Sequence, residues 1–128
     1  MSLVPKELLY TDQHEWLLRK GEVATVGITD YAQHELGDIV FVELPKMGDR
    51  VSQGQPFGTV EAVKTVAELF APVSGEVLEV NESLTEDAGQ VNEDPYSAGW
   101  MIRVRIHAPD EVDRLMTPEE YEKMIQGL

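Results

Sequence analysis

The segment 56–72, PFGTVEAVKTVAELFAP, constrains the fold of this chain more than any other stretch. Two apolar-rich runs, FGTVEAV and TVAELFA, flank a single cation, Lys64. Pro56 and Pro72 stand eight residues before and eight residues after it. Residues 60–69 hold no Gly, Pro or Asn, so nothing local announces a turn. The matched halves predict two strands that fold back about residues 63–65, with Lys64 at the tip.

The rest of the chain extends that β reading. EWLLR, KGE and VATVGI describe a second hairpin around a Gly turn. TDYAQHELG reads as a helix of about two turns, with Thr29 or Asp30 as its cap and Gly37 as its stop. Tyr31, Ala32 and Leu36 are its inward candidates. DIVFVEL is a strand closed by Pro45, and WMIRVRI is an alternating strand with Arg103 and Arg105 on one face. PVSGEVLEVN is a turn followed by a strand; Gly48 and Gly75 are assigned to turns. Residues 82–99 read as a long polar loop. PDEVDRLM and TPEEYEKMI read as helices. In the second, Thr117 is the cap, Pro118 the first helical residue and Glu120 the capping-box partner, with Met116 placed to meet Tyr121. The expectation is one domain over residues 1–128, mostly β, with a short internal helix and C-terminal helices.

Charge narrows the function. With 24 acids against 10 bases the net charge is −14, the wrong sign for nucleic acid or an anionic membrane surface. It suits partners with basic docking faces. The absence of cysteine excludes disulfides, thiolate catalysis and Cys-based metal sites. No stretch has the length of a signal-peptide core or of a membrane span, so a soluble, cytoplasmic protein is expected. His14, His34 and His107 lack any metal-ligand spacing. There is no GxSxG, GxxxxGK or GxGxxG, and EDAGQVNED departs from the EF-hand ligand order. The chain carries no catalytic machinery of its own, so a non-enzyme is expected.

Lys64 is then the residue to explain. A protonated ε-amine is a poor nucleophile unless burial lowers its pKa. At a hairpin tip it is instead an attachment point: an enzyme can reach it, and its four-carbon stem extends whatever is attached. A surface cation that discourages strand aggregation would have the same spacing, and the spacing leaves both readings open.

Several blocks together resolve the choice. VEAVKTVAELFAPVSGEVLEVN, HEWL, VGITDYAQHELGDIVFVELP, VNEDPYSAGWMIRVRI and EEYEKM run in order from about Glu7 to Gln126. They resemble the H-protein family of the glycine cleavage system. The resemblance implies a lipoyl-domain-like barrel-sandwich hybrid with added helices. It implies that Lys64 bears lipoic acid in amide linkage, which would take the net charge from −14 to −15 by removing one cation. It further implies a shuttle. A pyridoxal-phosphate glycine decarboxylase would load the aminomethyl group of glycine on the arm, and an aminomethyltransferase would pass the carbon to tetrahydrofolate. A dihydrolipoyl dehydrogenase, linked to FAD and NAD, would reoxidise the arm. A lipoate ligase or octanoyltransferase would modify Lys64. Such an acidic shuttle is most simply a monomer.

By position in the family motifs, Glu15 and Glu68 are candidates to dock a cationic loaded arm, and Glu61 to guide the modifying enzyme. Thr65 and Ala62 depart from the commoner alanine and serine, but both are small. A biotinyl carrier would place methionines beside the lysine, and a 2-oxo acid dehydrogenase lipoyl domain would carry DKA. An H-like protein that relays lipoyl groups to other complexes is the alternative function.

Overall fold

Nine strands in a computed structural model describing residues 2–128 form two antiparallel sheets. In chain order they are β1 (Leu9–Tyr10), β2 (Glu15–Lys20), β3 (Val23–Ile28), β4 (Ile39–Glu43), β5 (Arg50–Val51), β6 (Pro56–Ala62), β7 (Val66–Phe70), β8 (Gly75–Val80) and β9 (Ile102–Ile106). The larger sheet runs β1-β2-β3-β9-β8-β5 and the smaller β4-β6-β7. Helix α1 (Asp30–Leu36) separates β3 from β4, and α4 (Pro118–Gln126) closes the chain. Leu17, Val26, Val77 and Val104 of the larger sheet meet Val42, Val60 and Leu69 of the smaller in one buried cluster. The molecule is therefore mostly β, as the sequence implies: a two-sheet sandwich whose sheets do not close into a barrel.

Both hairpins form where the punctuation places them. Gly21 turns β2 into β3 at φ 62°, a left-handed conformation that glycine adopts without a Cβ clash. β6 and β7 pair from Pro56↔Phe70 to Glu61↔Val66, with one register shift near Gly58. The C-terminal helix starts as written in the sequence. Thr117 Oγ1 accepts from the Glu120 amide at 3.1 Å, and Glu120 returns a carboxylate oxygen to the Thr117 amide at 2.9 Å. Met116 packs in the second apolar cluster with Tyr121, Tyr10 and Trp16.

Of the two cap candidates of α1, Thr29 is the cap, accepting from the Ala32 amide at 3.1 Å. Ala32 and Leu36 face inward as expected, half-buried against the main core, and Asp30 and Gln33 are buried as well. The reason is a polar relay: Gln33 donates to Asp30 at 2.8 Å and accepts from Asn92 at 3.0 Å. Residues 82–99 are not one open loop but contain two single-turn helices, α2 (Ser83–Glu86) and α3 (Gln90–Glu93), which bury Leu84 and Val91. Asn81 anchors the segment by donating to the carbonyls of Ala98 and Trp100. PDEVDR is helical as expected, in the form of a 3-10 helix, Pro109–Arg114.

Gly75 is a second correction. It is no turn residue but the first residue of β8, and a Cβ there would overlap the carbonyl oxygen of Arg105 on β9. Close backbone approach selects glycine here. Gly75→Ala should lower the stability by about 1–3 kcal/mol through overpacking, seen as a fall in the urea midpoint. Gly127→Ala, whose new methyl group would meet nothing nearer than 3.5 Å, should leave that midpoint almost unchanged.

Candidate functional site

The β6–β7 connection consists of Val63, Lys64 and Thr65. The Ala62 amide donates to the Thr65 carbonyl at 2.8 Å and closes the turn. The Val63 amide donates to the Asp38 carbonyl at 3.0 Å and ties the tip to the approach of β4. A short turn held from two sides presents Lys64 to solvent at a fixed address. Around it lies an exposed apolar collar of Val40, Phe41, Val63 and Val66. Glu61 is exposed within that collar, opposite Phe41 on one side and Val66 on the other.

A cleft of about 410 Å³ opens farther along β7. One wall is the turn Gln13–His14–Glu15, the second is α1 through Tyr31, Ala32, Glu35 and Leu36, and the third is β7 from Ala67 to Phe70. The structure thus brings Glu15 and Glu68 into one cavity; Lys64 and Glu61 stand outside it. Glu35 joins them as a third carboxylate that the sequence reading passed over. Its signal was present: Ala32, Glu35 and Leu36 fall on one helix face by i, i+3, i+4 spacing.

Glu15 and Glu68 differ sharply in environment. Glu68 is exposed at the middle of β7. Glu15 is only 1% exposed. Thr11 Oγ1 donates to one of its oxygens at 2.5 Å, and the Phe70 amide donates to the other at 3.2 Å. Burial nevertheless dominates and pushes its carboxyl up to about 7, with the Thr11 and Phe70 hydrogen bonds opposing the shift. His14 beside it takes φ 71°, an uncommon conformation for a residue with a side chain. Its Nδ1 shares a 2.8 Å hydrogen bond with the Tyr121 hydroxyl, which also meets Thr29 Oγ1 at 2.7 Å. Burial lowers its pKa, favouring the neutral ring. His14 is therefore a packed link between the turn, α1 and α4.

Apolar walls with carboxylates of graded burial suit an aliphatic chain that ends in a cation. A family model described as Glycine cleavage H-protein matches residues 8–127. The chain belongs to this family. It is 58% identical over 121 residues to the glycine cleavage system H protein of Geobacillus kaustophilus, covering 94% of this chain and 95% of that one. With the H protein of Carboxydothermus hydrogenoformans it shares 54% identity over 126 residues, 98% and 97% of the two chains. The crystal structure of the H protein from Mycobacterium marinum matches with a TM-score of 0.88 at 41% identity, covering 98% of this chain and all of that one. Membership in the glycine cleavage H-protein family implies a lipoyl carrier role and partner enzymes. Among the described residues, no helix is long and apolar enough to cross a membrane.

The raised pKa of Glu15 has a definite sign for stability. Between its ordinary value of 4.5 and about 7, the folded state binds more protons than the unfolded state. Stability therefore falls as pH rises through that window and levels off above it. Glu15→Gln should remove this component, up to roughly 2–3 kcal/mol of pH-dependent change. The check is the urea midpoint of both proteins from pH 4.5 to 8; identical pH slopes would contradict the burial account.

Proposed function

We propose that Lys64 carries a lipoyl group in amide linkage, and that the chain acts as one monomeric carrier unit of the glycine cleavage system. In this reading it takes the aminomethyl group of glycine from glycine decarboxylase and presents it to aminomethyltransferase. It then offers the reduced arm to dihydrolipoyl dehydrogenase. The carrying observation is an exposed lysine on a braced hairpin tip, next to a carboxylate-lined cleft, in a chain of this family.

The residues present fit such a group. The lysine is accessible to an acylating enzyme, and the Val40–Phe41–Val63–Val66 collar offers that enzyme apolar area to grip. Glu61 in the collar adds one oriented charge for a basic partner surface, so it serves recognition of the correct lysine. Ala67, the first β7 residue to line the cleft, is three positions from Lys64, roughly 10 Å along a strand. An extended acyl-lysine chain spans that distance.

The lipoyl group would supply the disulfide–dithiol couple and the sulfur that bears the aminomethyl carbon. The protein supplies the resting place. Glu68 and Glu35 attract a cation from the open side of the cleft, and Glu15 waits deeper, poised near neutrality. An arriving ammonium favours the ionised form of Glu15, so docking and loss of its proton are linked. The apolar walls restrict water about the held arm.

Incubation with lipoate, ATP and a lipoate ligase, followed by intact mass measurement, tests the reading. The wild type should gain one lipoyl adduct and Lys64→Ala none. Glu61→Gln should slow the modification by about tenfold without moving the urea midpoint. An unmodified wild type, or an adduct that persists on Lys64→Ala, would remove Lys64 from the role.

A further inference from the structure

The outer face of the larger sheet has a charge unlike the rest of the molecule. Its strand register places Lys20 opposite Val23, Val23 opposite Arg105, Arg105 opposite Glu76, and Glu76 opposite Arg50. That row crosses five strands, roughly 19 Å at the usual strand spacing. A second row sets Leu18 opposite Thr25, Thr25 opposite Arg103, and Arg103 opposite Glu79. The neighbours Ala24, Val26, Val77 and Val104 point into the core, so these rows point out. Four of the chain's ten Lys and Arg residues thus share one face with two carboxylates, on a protein of net charge −14. Glu22, in the β2–β3 turn, stands at the margin. Among the described residues, only Arg103 of the four cations is in an ion pair, at 2.8 Å from Glu79.

The same face is hollowed beside these cations. A groove of about 650 Å³ is lined by Leu18, Val23, Tyr96 and Trp100, with Lys20 and Arg103 at its sides. Arg103 lies 4.0 Å over the Trp100 ring and fixes the aromatic wall. Trp16 also borders the groove, and its indole N–H is held by the Pro95 carbonyl at 3.0 Å. An apolar trough flanked by Arg103 and by Lys20, which like Arg105 and Arg50 is in no ion pair among the described residues, is complementary to an acidic strand or loop that inserts one apolar side chain.

We propose that this face is a docking surface for an acidic, apolar-anchored segment of a partner protein. The charge of the whole molecule selects against long polyanions, because repulsion from −14 acts over their full length. A short acidic segment escapes it: at physiological salt, charges beyond about 8 Å are screened. The position also matters. The two sheets pack by their inner faces, so the outer face of the larger sheet points away from the β6–β7 hairpin. A partner seated there leaves Lys64 free, and can retain the protein while the hairpin engages something else.

Both tryptophans of the chain border this groove, so intrinsic fluorescence reports its occupancy. The probe is a short synthetic peptide of glutamates around one phenylalanine, without Trp or Tyr, titrated into the full-length protein. A saturable change in emission is expected, weaker at high salt, and absent with a peptide carrying glutamine for glutamate. The double variant Lys20→Glu/Arg105→Glu should weaken binding by about tenfold, whereas Lys64→Ala should bind as the wild type does. The independence from Lys64 separates this surface from the carrier reading. If the charge-reversed protein loses its native urea transition, Lys20→Gln/Arg105→Gln takes its place, with the same loss expected. No saturable change in the wild type, equal binding by the folded variant, or equally tight binding of a single-stranded oligonucleotide would overturn the proposal.

Discussion

A carboxylate taken almost wholly out of water is the constraint on which the cleft depends. Glu15 opens β2 in the larger sheet, and Phe70 ends β7 in the smaller; the Phe70 amide donates to Glu15 across the gap. A buried carboxyl without partners would be costly, so donors must be held in place for it. Thr11 is one, and its hydroxyl also receives the amides of Gln13 and Glu15. That turn forces His14 to a positive φ. His14 in turn accepts the Thr29 amide on its carbonyl at 3.0 Å, which places the cap of α1. Through Tyr121 the same turn reaches α4. The cleft walls are therefore mutually dependent: β7 and α1 meet the turn through two residues, Glu15 and His14, and Tyr121 ties α4 to the same turn. The donors compensate only partly for burial, which is why Glu15 titrates near neutrality instead of in the ordinary carboxylate range.

Local signals with a single physical solution were readable from the sequence alone. The matched runs around Lys64, the glycine turn at Gly21 and the Thr117–Glu120 capping box all depend on nearby residues, and all appear where the pattern places them. What was missed depends on partners far along the chain. Gln33 is buried because Asn92, 59 residues later, meets it, so apolar periodicity found Ala32 and Leu36 on the inward face of α1 but not the buried amide. Residues 82–99 look solvated by composition, yet Asn81 and Asn92 supply the hydrogen bonds that let Leu84 and Val91 turn inward. Gly75 resembles a turn glycine until Arg105 is brought against it. At the site, motif position singled out Glu15 and Glu68, which do share a cavity, but it could not distinguish the deeply buried carboxyl from the exposed one.

The strongly acidic composition and the exposed apolar tip explain each other. Val40, Phe41, Val63 and Val66 form an unshielded patch at the end of the smaller sheet, and among the described residues β7 leaves one edge of that sheet without a strand partner. Such a combination invites pairing between copies. Copies that each carry −14 repel one another before the patches can meet, and Glu61 and Glu68 place some of that charge on the hairpin itself. The same field attracts a partner with a basic rim, for which the apolar collar then supplies contact area. Acidity thus acts as a filter: it favours contact of the tip with a basic surface over contact with a second copy. A cationic outer face on the larger sheet is consistent with that filter only because it lies on the far side of the sandwich. There its local excess of two positive charges, four cations against two carboxylates, does not neutralise the hairpin.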